Sequence, residues 1–304
     1  MTSFHGGVRE NQAQNLAGLK AAMEGVAEGF GGTLGYSLHH RGREEAVSRR
    51  GDEAFPTAST IKTAVMCEVM HQIETGRLCW EDPVPVPTES VGRQEGGYAF
   101  FFPPGTPLPL AHWLNLMITV SDNTATMTLR ELVGQGNVNR WLEGLGLRQT
   151  KLLNGPQKVE LGLLPLQQQY GLGMTTPIEM GRLLEMIRDG QAGSPASCDR
   201  MLRLLAHQYW DSAIAAEVPP HVQIAHKTGA IDGHRSDSAF VFAPGGEYAL
   251  TVYTKDQRDD RWTNDNEGLV AIRALSRLVW RHYHPQDPWT PPPGAAALWP
   301  PEEP

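Results

Sequence analysis

Two kinds of periodicity divide the chain, and their order restricts the folds open to it. Apolar residues recur at helical spacing near 59–75, 110–120, 123–133, 137–145 and 198–209. After residue 220, VQIAHKT, DSAFVFA and YALTVYT alternate as strands do, with PGGE as a hairpin turn between the last two. Near the other end, GGTLGYSLHH and EEAVSRR flank the polar turn RGRE as two short strands, and amphipathic helices are expected over 11–29 and 265–283. Thr176, Pro177 and Glu179 stand at N-cap, N1 and N3, a capping box that starts a helix over 177–189. Strands near both ends, separated by a helical middle, imply an α+β fold: an antiparallel sheet flanked by terminal helices, with an all-helical domain inserted into it. The expected division is a sheet domain built from 1–57 and 215–287, a helical domain over 58–214, and an extended proline-rich tail at 288–304.

A chain of 304 residues has ample length for a sizeable core. Its formal net charge of −8, with no Lys/Arg stripe interleaved with aromatics, argues against nucleic acid and anionic membranes as partners and leaves small molecules. Cys67, Cys79 and Cys198 cannot all pair and read as buried thiols. No basic segment followed by an apolar one opens the chain, and no apolar run is long enough to span a bilayer. The location expected of the chain as written is cytoplasmic, or periplasmic or secreted if an export signal has been removed. Neither His39-His40 nor His282 with His284 has a marked third ligand, so no metal or cofactor is expected.

Three short stations carry the chemistry. In TASTIKTAVM, Lys62 lies one turn beyond Ser59, on the same side of a helix. An amine activates a hydroxyl only if its pKa falls toward neutrality, which burial and a second cation would bring about. Alone, the pair also fits a capped helix with a solvent-facing lysine. Ser121-Asp122-Asn123, between WLNLMITV and TATMTLREL, reads alone as a helix cap. Lys227-Thr228-Gly229, after His226, reads alone as a strand end with a glycine turn.

Taken together and in this order, the stations resemble the S-x-x-K, S-D-N and K-T-G signature of class A β-lactamases and penicillin-binding proteins. FPTASTIK, MITVSDNTAT, MTTP and KTGAIDG extend the resemblance over roughly residues 30 to 283. The resemblance implies a β-lactamase-like fold with Ser59 as nucleophile and Lys62 as its proton acceptor, directly or through a water. It implies that Ser121 shuttles the proton to the leaving group and Asn123 orients the substrate amide. Lys227 and Thr228 would hold the substrate carboxylate, Lys227 would lower the Lys62 pKa, and Gly229 would be among the substrate-binding residues. The N–H groups of Ser59 and Ala230 would form the oxyanion hole. Arg235 either adds a second carboxylate contact or pairs with Asp237.

One departure divides the functional readings. The family's class A members carry a loop glutamate that activates the deacylating water. Near the matching place this chain reads Asn154-Gly155-Pro156-Gln157, with Glu160 the nearest carboxylate; Gln157 can position a water but cannot take its proton. The expectation is a serine hydrolase of β-lactamase type that opens β-lactams slowly. The alternatives are a promiscuous carboxylesterase, a D,D-peptidase-like hydrolase acting on D-amino-acid peptides, or a non-catalytic penicillin-binding sensor. Tyr98, in the aromatic stretch 97–104, is expected to line the cleft mouth or to anchor the loop in the core, and Trp262 is a second candidate wall.

Overall fold

A computed structural model describes residues 4–88 and 97–297, the side chains of 4–14 and 297 excepted. Helix α1 (Phe4–Glu28) leads into strands β1 (Thr33–His40), β2 (Glu45–Arg49) and β3 (Phe55–Pro56). A 3-10 turn, Ala58–Ile61, then runs directly into α2 (Lys62–Glu74). The middle of the chain holds β4 (Pro83–Pro85), β5 (Pro107–Pro109), α3 (Leu110–Thr119), α4 (Asn123–Val133), α5 (Gln135–Gly144), β6 (Lys151–Leu152), α6 (Leu164–Tyr170), β7 (Gly173–Thr175), α7 (Pro177–Arg188) and α8 (Pro195–Leu205). Strands β8 (Ile224–Ile231), β9 (His234–Val241) and β10 (Tyr248–Lys255) and helix α9 (Glu267–Tyr283) complete it.

The main sheet is antiparallel in the order β2-β1-β10-β9-β8, so strands from the two ends of the chain are hydrogen-bonded neighbours. Alternation decides what each face meets. In β10, Leu250 and Val252 join Tyr36 of β1 and Ile272 and Leu275 of α9 in one core, while Ala249 and Tyr253 face a second core of Val65, Leu114, Leu129 and Leu183. Strand β9 is buried along its whole length, as a central strand covered on both faces should be. The sheet is therefore a septum, with terminal helices α1 and α9 on one side and the inserted helices on the other. Helix α7 lies within the 58–214 segment by sequence, yet it packs directly against β1, β9 and β10.

Local chemistry explains where expectation and structure part. Thr176 caps α7 by accepting from Glu179 N at 3.1 Å, as the capping pattern implies. The Glu179 carboxylate does not complete the box; it accepts instead from Gln149 N and Thr150 N, tying a distant loop to the helix start. Helix α8 begins at Pro195, earlier than expected, because Ser194 caps it by accepting from Ser197 N. The three thiols are free, and Cys79 is exposed rather than buried. The first part of the tail turns back: Trp289 packs against the core beneath α9 and residues 295–297 form a 3-10 turn, while 298–304 lie outside the described residues. His40 packs on Tyr283 and His284 stacks on Trp280, and among the described residues no three potential ligands come together around a metal position. Among those residues no helix is long and apolar enough to cross a membrane.

Candidate active site

The three stations come from three different elements. Ser59 sits in the 3-10 turn before α2, Ser121 and Asn123 straddle the start of α4, and Lys227 to Ala230 belong to β8 on the sheet edge. Two of the non-glycine residues with positive φ are here: Ala58 at 43°, immediately before Ser59, and Ser121 at 62°. Such backbones cost on the order of 1–3 kcal/mol each and persist only where their surroundings hold them.

The surroundings of Ser121 are visible. Lys62 is completely buried, and its Nζ donates to Ser121 O at 2.5 Å and Asn123 Oδ1 at 2.8 Å, with Ser121 Oγ at 3.0 Å. The lysine is thus not solvent-facing, and its amine bridges the first two stations. The direct contact with Ser59 Oγ that one-turn spacing implies is not among its bonds; no hydrogen bond among the described residues reaches that half-buried hydroxyl. Burial pushes the Lys62 pKa well below the usual lysine value. The Lys227 charge pushes it the same way, and Asp122 pulls against both. A neutral amine has two N–H bonds and one lone pair. Ser121 O and Asn123 Oδ1 can only accept, so in the neutral form they take both N–H bonds and the lone pair faces the Ser121 hydroxyl.

Asp122, read from sequence as a helix cap, also holds a distant loop. Its fully buried carboxylate accepts from Ala125 N at 2.7 Å, capping α4, and from Tyr98 N and Ala99 N at 2.5 and 2.8 Å. The aromatic loop is thereby fastened to the same turn that holds Ser121. Tyr98 is half-buried, and beyond it Phe101 and Phe102 are 70% and 37% exposed.

The third station approaches the first at close range. A Cβ on Gly229 would stand 2.6 Å from Thr57 O and 3.0 Å from Ser59 N, so only glycine lets β8 lie against the reactive turn. Lys227 is fully buried and Thr228 nearly so, and Lys227 Nζ donates to Thr228 O. From behind, Tyr253 on β10 donates to Thr60 Oγ1 at 3.1 Å, and Thr60 Oγ1 donates to Thr57 O, hanging the turn from the sheet.

The remaining candidates make contacts of their own. Arg235 is fully buried with its guanidinium over the Trp262 ring, and it donates to the carbonyls of Ile231, His234 and Arg261. Asp237 is engaged by His226 and by Ile214 N rather than by Arg235. Trp262 in turn donates to Asp232. Gln157 accepts from Gly136 N at the start of α5, and Glu160 is exposed.

The chain as a whole is similar to known proteins. A family model described as the beta-lactamase enzyme family matches residues 18–283. A β-lactamase of Streptomyces albus G is 26% identical over 90% of this chain and 88% of its own. Among solved structures, a β-lactamase from Sphaerobacter thermophilus superposes with a TM-score of 0.74 at 26% identity, covering 94% of this chain and 99% of that one. PBP-A superposes at 0.77 with 25% identity over 88% and 96% of the two chains, and a variant of it is known as an acyl-enzyme complex with penicillin G.

Proposed function

Given that the chain belongs to the beta-lactamase enzyme family, we propose that it opens β-lactams through an acyl-Ser59 intermediate and releases the product slowly. The observation that carries this reading is the buried amine of Lys62, its pKa lowered by burial and by Lys227, and held against Ser121. Ser59 Oγ attacks the lactam carbonyl carbon, and its proton passes to Lys62 directly or through a water. The Ser59 and Ala230 N–H groups receive the negative charge that develops on the carbonyl oxygen, each donor being worth about 3–4 kcal/mol in such sites. As the ring C–N bond breaks, the Ser121 hydroxyl protonates the nitrogen and takes a proton back from Lys62. Asn123 orients the substrate amide, and Lys227 and Thr228 hold its carboxylate.

Release requires a base for water. Gln157 is committed to Gly136 N and has no proton-accepting chemistry, and Glu160 makes no bond that would aim it at the acyl group. A general base is typically worth 10²–10⁴-fold, so acylation outruns deacylation. The likeness to PBP-A favours a second reading, a penicillin-binding hydrolase whose acyl-enzyme persists. The exposed Phe101 and Phe102 favour bulky apolar acyl groups, including those of esters.

The test is a chromogenic cephalosporin mixed with enzyme, followed by intact-mass measurement after penicillin. A burst of one equivalent, slow turnover and a mass addition mapped to Ser59 are expected. Steady rapid turnover without a burst refutes slow release, and an unmodified Ser59 with brisk ester cleavage favours the esterase.

A further inference from the structure

Behind the two N–H groups that receive the oxyanion lies a pair of buried side chains that the reaction scheme does not use. Gly229 of β8 is paired across the sheet with Ser236 of β9. Ser236 Oγ lies 3.2 Å from Gly229 O and 3.4 Å from Thr57 O, and thus sits in the gap between β8 and the turn that carries Ser59. A Cβ on Gly229 would come within 2.7 Å of that same oxygen, so the gap is filled to contact. On the other side of Ser236, His234 Nε2 stands 3.2 Å from its Oγ, and His234 Nδ1 is bonded to Thr254 O of β10. Both side chains are at most 2% exposed.

Proton counting fixes the directions. Thr254 O can only accept, so Nδ1 carries the hydrogen. Burial, reinforced by Arg235, lowers the His234 pKa to about 4, so the ring is neutral and Nε2 is bare. The Ser236 hydroxyl has one hydrogen and three acceptors around it, His234 Nε2 and the carbonyls of Gly229 and Thr57, so its oxygen is held at the point where the three converge. Filling the gap to contact between Gly229 O and Thr57 O, the Ser236 oxygen sets how near β8 comes to the turn.

Resting on the reading of Ser59 as nucleophile, we infer that Ser236, locked in place by His234, sets the separation between the Ser59 and Ala230 N–H groups and so tunes the oxyanion hole. Both are positioning residues. They act on the sheet face toward the reactive turn, whereas Arg235 between them points the other way, under Trp262.

The experiment compares Ser236→Ala, His234→Asn, His234→Gln and the double variant Ser236→Ala/His234→Asn. Asparagine keeps an N–H for Thr254 O but has no atom at the Nε2 position, whereas glutamine carries an acceptor there. Expected for Ser236→Ala and His234→Asn is an acylation rate about tenfold lower, smaller than the ~10²-fold cost of a 1 Å misplacement, with the dissociation constant of the non-covalent complex near the parent value. The inhibition constant of phenylboronic acid, which mimics the tetrahedral oxyanion, rises by the same factor. His234→Gln stays within about twofold of the parent, and the double variant is no worse than either single change. Unchanged boronate inhibition in the single variants, or losses that multiply in the double, overturns the inference even if each variant melts lower. If the parent enzyme gains no penicillin mass on Ser59, the reading beneath the inference falls, and the inference with it.

Discussion

Replacing Asp122 with asparagine separates the two tasks of one carboxylate. Three backbone N–H groups converge on it, from Ala125 to one oxygen and from Tyr98 and Ala99 to the other. The amide of asparagine has one accepting oxygen. If that oxygen keeps the Ala125 cap, its NH₂ is pressed against two donors; if it flips, the loop bonds survive and the cap is lost. The second arrangement is cheaper: the lost cap leaves the Ala125 N–H a buried donor without an acceptor, which costs about 1–3 kcal/mol. No discount for solvent screening applies, since Asp122 is fully buried. At about 2 °C per kcal/mol for a chain of this size, the melting temperature should fall by about 2–6 °C. The effect on chemistry has the opposite sense. The Asp122 charge favours the ammonium form of Lys62, so removing it lowers the lysine pKa further. Acylation needs the neutral amine, and a lower pKa leaves more of it neutral at any given pH. The acid limb of the acylation profile therefore moves to lower pH in an enzyme that is less stable. Stopped-flow acylation by a chromogenic cephalosporin from pH 5 to 9, alongside thermal melts, reads both. An acid limb that stays put or moves to higher pH would refute the role given to Lys62, and an unchanged melting temperature would refute the accounting for Asp122.

Gly229→Ala places a methyl 2.6 Å from Thr57 O and 3.0 Å from Ser59 N, so β8 and the reactive turn must move apart; acylation should fall by about 10²-fold while circular dichroism stays that of the folded protein. Arg235→Ala removes three bonds to loop carbonyls and the stack under Trp262, lowering stability to urea by about 2–4 kcal/mol. Its acylation by a penicillin and by a carboxylate-free ester should fall by the same factor, and a loss confined to the penicillin would return Arg235 to the substrate carboxylate.

Much of this architecture is written in local sequence chemistry. The hairpin at PGGE, the alternation of YALTVYT and the Thr176-Pro177 start all produce the elements they imply, because each signal acts through nearest neighbours. The start of α8 had an equally good sign in Ser194-Pro195, the same cap-then-proline pair, which helical spacing of apolar residues alone does not detect. The three stations were legible because their residue types are chemically demanding and short. What remained hidden depends on register. Whether Arg235 or Ser236 faces Ser59 turns on a one-residue phase in β9, and every residue of that strand is buried, so no polar-apolar alternation marks its faces. Asp122 illustrates a different limit. As a cap it is read correctly, but the partners of its second oxygen, Tyr98 and Ala99, are 24 and 23 residues earlier and carry no mark of the bond, since they offer only backbone.

The chain of hydroxyls from Ser238 through Tyr253 to Thr60 crosses from the sheet to the turn that bears Ser59. The nucleophile is thus suspended from one lobe, while Ser121 and Asn123, which Lys62 grips, hang from the other. Neither lobe carries half an enzyme. Prising the septum from the inserted helices by heat or denaturant scatters the reacting groups before either lobe has melted, so inactivation precedes or accompanies unfolding and never trails it.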